Sequence, residues 1–106
     1  MIQVSIIVCT YNGRNRIHGV LRSLFSLNKS NDVHYEVIVV DNASTDGTGA
    51  LCTAFAKEEL YSGAFTVVTE TKSGLNFARM KGLYTAACDW ILFCDDDNEL
   101  FPDYLV

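Results

Sequence analysis

Short apolar runs alternate along this chain with stretches whose apolar residues recur at helical spacing. Val4–Cys9 (VSIIVC) and Tyr35–Val40 (YEVIVV) are β-branched runs of the kind buried on both faces of a parallel sheet. Between them Ile17, Val20, Leu21, Leu24 and Phe25 form one stripe of an amphipathic helix within Asn15–Leu27, and the polar Asn28–His34 reads as a loop. After Asp41 comes a turn in which Ser44, Thr45 or Asp46 can cap a second helix. Leu51, Ala54 and Phe55 supply that helix with a core stripe, and Lys57-Glu58-Glu59 with a wet end. Ala64–Glu70 is a third strand, and its partial alternation marks a sheet edge. Ser73–Cys88 reads as a third helix, apolar almost all round apart from Asn76, Arg79 and Lys81, which predicts heavy burial. Asp89–Cys94 is the fourth strand, and Phe101-Pro102-Asp103 looks like the start of another helix, with proline in its first turn.

The order β-α-β-α-β-α-β, with strands about thirty residues apart, is that of right-handed βαβ units. It predicts an α/β fold: an open, doubly wound parallel sheet in strand order 3-2-1-4, a single domain over residues 1–106. Strand 4 then forms a bare edge carrying Trp90, Ile91, Leu92 and Phe93, a surface for self-association into a homo-oligomer.

Ligands of such sheets bind at the carboxyl ends of the strands, beside the point where strand order reverses. Strand 1 delivers Thr10-Tyr11-Asn12-Gly13 there, strand 2 Asp41-Asn42, strand 3 Glu70-Thr71-Lys72-Ser73-Gly74, and strand 4 the triplet Asp95-Asp96-Asp97. Adjacent carboxylates repel: at ~5 Å and an effective dielectric of ~20 each ionised pair costs about 3 kcal/mol. The usual remedy is a hard divalent cation with oxygen ligands, Mg²⁺ or Mn²⁺, which makes a metal-dependent phosphate site the leading idea. Alternation in an extended segment sends Asp95 and Asp97 to one side and Asp96 to the other, so Asp97 can bind a metal while Asp95 addresses a group such as a ribose. The plainer alternative is an acidic turn capping the helix near Phe101.

Asp41 is either a turn residue or an acceptor for a base N–H or sugar hydroxyls. Tyr11 offers a flat face for stacking on a heterocycle, or ordinary packing. Arg79, early in the third helix, either reaches the ligand or is a solvated charge. Gly13 and Gly74 allow close backbone approach or simple turns. His18 and His34 are isolated, with surface or packing roles. No G-x-x-x-x-G-K-[ST] loop and no G-x-G-x-x-G follows any strand, which shifts the neutralisation of phosphate onto a cation.

Charge sharpens this picture. Thirteen acidic against eight basic residues give a formal net charge of −5, which argues against nucleic acid as a partner. A small phosphorylated ligand escorted by a cation remains compatible. No apolar run approaches the ~18 residues of a membrane span, and the first residues lead into a strand rather than a signal peptide. Cys9, Cys52, Cys88 and Cys94 contain no C-x-x-C pair and sit among apolar neighbours. They read as buried free thiols of a reducing compartment, the cytoplasm, with a zinc site or a disulfide as the lesser alternative.

Three stretches together resemble the family 2 glycosyltransferases, which have the GT-A fold: Val4–Asn12, Val37–Thr48 and Phe93–Asp97; Gly74–Arg79 adds weaker support. The resemblance implies a nucleoside-diphosphate sugar held through Mn²⁺ or Mg²⁺. It implies that Thr10, Tyr11 and Asn12 belong to the nucleotide site, that Asp41 hydrogen-bonds the base and that Arg79 also reaches the nucleotide. Asp95 and Asp97 are then the DxD pair and the metal ligands, Asp95 also near the ribose, and Asp96 between them belongs to the nucleotide site as well. It further implies inverting transfer to a saccharide or lipid-linked acceptor, the full-length protein sitting in the cytoplasm or on the cytoplasmic face of a membrane. The family's catalytic base and acceptor half lie well beyond the DxD, whereas this sequence ends at Val106. Residues 1–106 therefore read as the donor-binding half of a longer enzyme, inactive alone and without a catalytic residue of its own. Two rivals stand beside this reading. One is a non-catalytic nucleotide-binding or regulatory module with the same rim. The other is a receiver-type phosphoacceptor domain, disfavoured because its acidic pair belongs after strand 1, where Cys9-Thr10-Tyr11 stands.

Overall fold

The computed structural model describes residues 2–28 and 32–97. Seven elements follow in order: β1 (Ile2–Thr10), α1 (Ile17–Phe25), β2 (Val33–Asn42), α2 (Thr48–Glu58), β3 (Ala64–Glu70), α3 (Leu75–Thr85) and β4 (Trp90–Asp95). The four strands form one sheet in the order β3-β2-β1-β4, every pair parallel. Fold class, element order and strand order are those expected. The helix expected at Phe101-Pro102-Asp103 lies outside the described residues.

Backbone pairing makes the first two strands longer than their apolar runs. Ile2 stands opposite Val33 and Thr10 opposite Asp41, so β2 starts at Val33 rather than Tyr35. The Ile2 N–H also donates to the Asp32 carbonyl at 2.7 Å. Ladder hydrogen bonds care little for side-chain polarity, so hydropathy understates strand length.

Alternate residues of the two central strands feed two cores. On one face Val4, Ile6 and Val8 of β1 and Val37 and Val39 of β2 meet Ile17, Val20, Leu21 and Leu24 of α1 and Cys52 and Phe55 of α2. The opposite core is small: Ile7, Ile38 and Val40 under Ala78 of α3. The α1 stripe lies where the periodicity placed it, apart from a half-buried Phe25. The α2 stripe is rotated from expectation: Thr48, Cys52 and Phe55 are buried, Leu51 is half-buried and Ala54 faces solvent. His18 packs its ring 4.8 Å from that of Phe55.

The heavy burial expected of α3 is wrong. Ala78 and Gly82 alone are buried, while Leu75, Phe77, Met80, Leu83 and Tyr84 are exposed. The helix touches the sheet along a stripe of small residues because there is no room for larger ones. A Cβ at Gly82 would stand 2.5 Å from Ile7 Cγ2. That close approach leaves the bulky side chains pointing past the sheet. β3 and β4 are the edges, and on β4 Trp90, Ile91 and Phe93 are exposed, as expected of a bare edge.

A buried polar junction fixes the entry to β4. The Ser5 hydroxyl donates to Glu36 Oε2, which also accepts the Ala87 N–H at 2.8 Å. The Cys88 N–H in turn donates to Ser5 Oγ at 3.2 Å. Ser5 is fully buried between strands, so these bonds satisfy groups that would otherwise be costly there.

Candidate functional site at the carboxyl rim

Register aligns the strand ends into one rim. Thr10 stands opposite Asp41, Asp41 opposite Thr69, and Cys9 opposite Asp95. Beside the point where strand order reverses, Cys9, Thr10, Tyr11, Asn42, Leu75 and Ala78 line a crevice of about 120 Å³. A larger hollow of about 630 Å³ lies against α2 and β3, lined by Thr53, Lys57, Leu60, Tyr61 and Phe65 among others. Its α2–β3 loop lies at the amino end of the strands, away from the acid triplet, so size is a poor guide here and the small rim crevice is the better candidate.

The β1–α1 loop builds one wall. Asn12 adopts a left-handed conformation at φ 49°, which asparagine tolerates better than most residues. Its N–H donates to Ser44 Oγ at 2.9 Å, and its Oδ1 accepts the Thr45 N–H at 2.8 Å. Asn12 thus ties the loops after β1 and β2 together. Gly13 is buried because nothing larger fits: a Cβ there would lie 2.2 Å from Thr10 Oγ1 and 2.9 Å from Asp96 Oδ2. Tyr11 is 54% exposed, its ring available at the rim.

The β2–α2 loop is held by its own acids. Asp41 Oδ1 accepts the Ser44 N–H at 3.3 Å, the turn role offered for it, and its carboxylate is half-buried beside α2. Asp46 accepts the Thr48 N–H at 3.1 Å, the Thr48 hydroxyl and the Arg14 N–H at 3.2 Å. These bonds, the Thr48 hydroxyl foremost, hold its carboxyl below the usual range. Asp46 therefore does the capping work, although Gly47 is the residue at the helix boundary.

Asn42 has a larger part than its sequence suggested. Only 6% exposed, it lies on the α3 side of the sheet. There its Nδ2 donates to the Glu70 carbonyl at 3.1 Å and the Lys72 carbonyl at 2.7 Å, and its Oδ1 accepts the Gly74 N–H at 3.0 Å. One amide thus shapes the approach to α3. The only signal available in advance was an asparagine following a buried strand.

β4 ends at Asp95, and Asp96 and Asp97 form a turn after it rather than the extended segment expected, so alternation does not govern Asp97. Asp96 turns towards α1, where its carboxylate accepts the Thr10 hydroxyl at 2.8 Å and pairs with Arg16 at 3.0 Å. Asp95 and Asp97 are exposed. Asp96 and Thr10, both expected to serve a nucleotide directly, spend these polar groups on each other and on Arg16. Arg16 carried no motif signal; the need for a counter-charge beside crowded carboxylates was the one hint. Arg79 stacks its guanidinium 5.6 Å from the centre of the Phe93 ring, on the α3 side. It also bears on Cys9: burial pushes that thiol up, Arg79 pulls it down, and Asp95 and Asp96 push it up again.

Among the described residues no three His, Cys, Asp or Glu side chains converge into a ready-made metal cage. The donor set still fits a hard cation. Mg²⁺-like ions are held by one or two carboxylates and complete their shell with waters and substrate phosphates, and Asp95 and Asp97 are exposed carboxylates one residue apart on either side of Asp96.

The family model for glycosyl transferase family 2 matches residues 5–106. The chain belongs to that family. It is 36% identical over 101 residues to an uncharacterized glycosyltransferase of Haemophilus influenzae, covering 94% of this chain and 31% of that one. To the putative teichuronic acid biosynthesis glycosyltransferase TuaG of Bacillus subtilis it is 34% identical, covering 96% of this chain and 38% of the relative. Among solved structures, the mannosyltransferase PcManGT of Pyrobaculum calidifontis in complex with GDP-Man and Mn²⁺ superposes with a TM-score of 0.83 at 33% identity, over 95% of this chain and 29% of that one. S. aureus TarS 1-349 in complex with UDP gives a TM-score of 0.82 at 28% identity, over 98% and 30%. The chain spans about a third of the length of these relatives. No helix among its described residues is long and apolar enough to cross a membrane.

Proposed function

We propose that residues 1–106 are the donor-binding half of a metal-dependent, inverting glycosyltransferase. The observation that carries this reading is the rim itself: Asp95 stands opposite Cys9, which lines the crevice with Thr10 and Tyr11. Solved relatives carrying GDP-Man with Mn²⁺, or UDP, support the choice of ligand.

In this reading the nucleobase lies against the Tyr11 ring, with Asp41 and Asn12 holding the loops that frame it and Arg79 reaching the nucleotide from α3. Asp95 addresses the ribose, and Asp97 with Asp95 holds Mn²⁺ or Mg²⁺. The cation, when bound, offsets the negative charge that builds on the leaving diphosphate. An acceptor hydroxyl of a saccharide or lipid-linked glycan attacks the anomeric carbon as its bond to the diphosphate oxygen breaks, with inversion. The general base taking the hydroxyl proton comes from outside these 106 residues, so this chain alone transfers no sugar. Cys52 and Cys94 are buried thiols, which suits a reducing compartment, the cytoplasm.

Calorimetric titration with UDP, GDP and CDP, each with and without Mn²⁺, tests the reading. One diphosphate should bind only when Mn²⁺ is present, and Asp97→Ala should abolish that Mn²⁺-dependent binding. Indifference to all three with Mn²⁺ present overturns it. The exposed β4 edge further supports self-association of this chain, and light scattering should show mass rising with concentration. A constant monomer mass sinks that part alone.

A further inference from the structure

We propose that Arg16 is a positioning residue which locks the acid triplet to the Tyr11 loop, so that one guanidinium sets both ends of the donor site. The inference rests on the donor-binding reading for its consequence, but the lock itself is a matter of geometry. Arg16 Nε donates to Asp96 Oδ1 at 3.0 Å, and a terminal nitrogen pairs with Asp96 Oδ2, also at 3.0 Å. The same terminal nitrogen donates to the Tyr11 carbonyl at 2.9 Å, and the other to the Asn12 carbonyl at 3.2 Å. Thr10 adds a third hand on the same carboxylate.

Arg16 and Asp96 stand 80 residues apart in sequence, and one planar group thus joins the loop after β1 to the turn after β4. On one side it holds the two backbone carbonyls that aim the Tyr11 ring. On the other it holds the middle carboxylate, whose neighbours on either side are Asp95 and Asp97. With Asp96 held by Thr10 and Arg16, part of the repulsion within the triplet is offset by a fixed counter-charge.

The fork is specific to arginine. Its planar guanidinium carries five N–H donors in fixed directions, whereas lysine brings a compact ammonium that cannot pair bidentately with a carboxylate while reaching two carbonyls. Arg16 is 45% exposed at its side chain, and solvent-exposed pairs contribute little to global stability. A positioning role is therefore separable from a merely structural one: it moves local order and affinity, and leaves the unfolding midpoint nearly alone.

The test compares wild type with Arg16→Ala, Arg16→Lys and Thr10→Val in this chain. Amide hydrogen exchange is followed at residues 11–13 and 95–97, urea unfolding gives the global stability, and titration with UDP, GDP and CDP plus Mn²⁺ gives affinity. Arg16→Ala should speed exchange in both segments together, leave the urea midpoint within error, and weaken the Mn²⁺-dependent diphosphate about tenfold, as loss of an outer-shell partner does. Arg16→Lys should resemble Arg16→Ala, and Thr10→Val should loosen residues 95–97 alone. Faster exchange in one segment only, or in neither, overturns the lock, as does a fully functional lysine variant. If wild type binds no diphosphate, the donor reading falls, and the exchange data still decide whether Arg16 couples the two segments.

Discussion

The two faces of the sheet are built to different standards. On the face covered by α1 and α2, large aliphatic residues from three elements are fully buried: Ile6 and Val8, Val37 and Val39, Leu21 and Leu24. Under α3 the core is four residues, and most of the apolar surface of that helix faces solvent. The difference teaches that apolar character and burial have separate causes. Residues of α1 are buried because β1 and β2 present complementary aliphatic rows. Those of α3 stay exposed because Ala78 and Gly82 form the stripe that meets the sheet, while Phe77, Met80, Leu83 and Tyr84 fall on the other faces of the helix.

The sharpest way to break that comparison is to truncate one residue on each side. Leu24→Ala should cost about 3 kcal/mol, the transfer free energy of the lost atoms plus a cavity. Tyr84→Ser on α3, where the tyrosine is 82% exposed, should stay within about 0.5 kcal/mol of wild type. Urea unfolding monitored by far-ultraviolet circular dichroism reads both. Equal losses at the two positions would mean that something covers α3 in solution.

A smaller effect sharpens the comparison at the start of the well-covered face, where Asp46 anchors α2. Its carboxyl titrates lower in the folded chain than its ordinary value of 3.8. The stabilisation it gives is therefore present above that value and is lost as pH falls through the folded pKa. Asp46→Ala should lower the melting temperature at pH 6, and the gap from wild type should close as the pH is taken well below 3.8. A gap that persists in acid would locate the effect in packing rather than in the carboxylate.

The sheet was legible in the sequence because two short β-branched runs and one clean helical stripe left few alternatives. Val4–Cys9 and Tyr35–Val40 had to be central, and the polar Thr66 and Thr69 marked β3 as an edge. The α2 stripe was misread because Ala54 scores as apolar, yet it is Thr48, with its hydroxyl bonded to Asp46, that turns inward. A satisfied threonine is as good a core residue as an alanine, and composition does not reveal which hydroxyls find partners.

The site was legible by place more than by role. Strand ends named Thr10, Tyr11, Asp41 and Asp95–Asp97, and the rim gathers them. What alternation supplied was the separation of Asp96 from Asp95, the last residue of β4. The bonds by which Thr10 and Arg16 hold Asp96 depend on a loop closing across the whole length of the chain. The repulsion within the triplet had suggested a metal ion; for one of the three acids the protein meets that need with its own guanidinium.

The strand order has a consequence for biosynthesis. β1 lies between β2 and β4, yet its second neighbour is made only after the other six described elements. As the polypeptide leaves the ribosome, β2 and β3 can zip onto one flank of β1 while the other flank, an open ladder, waits for residues 90–95. A nascent chain at that stage exposes a sticky edge in the middle of its future sheet, and a holding chaperone would compete with β4 for that edge.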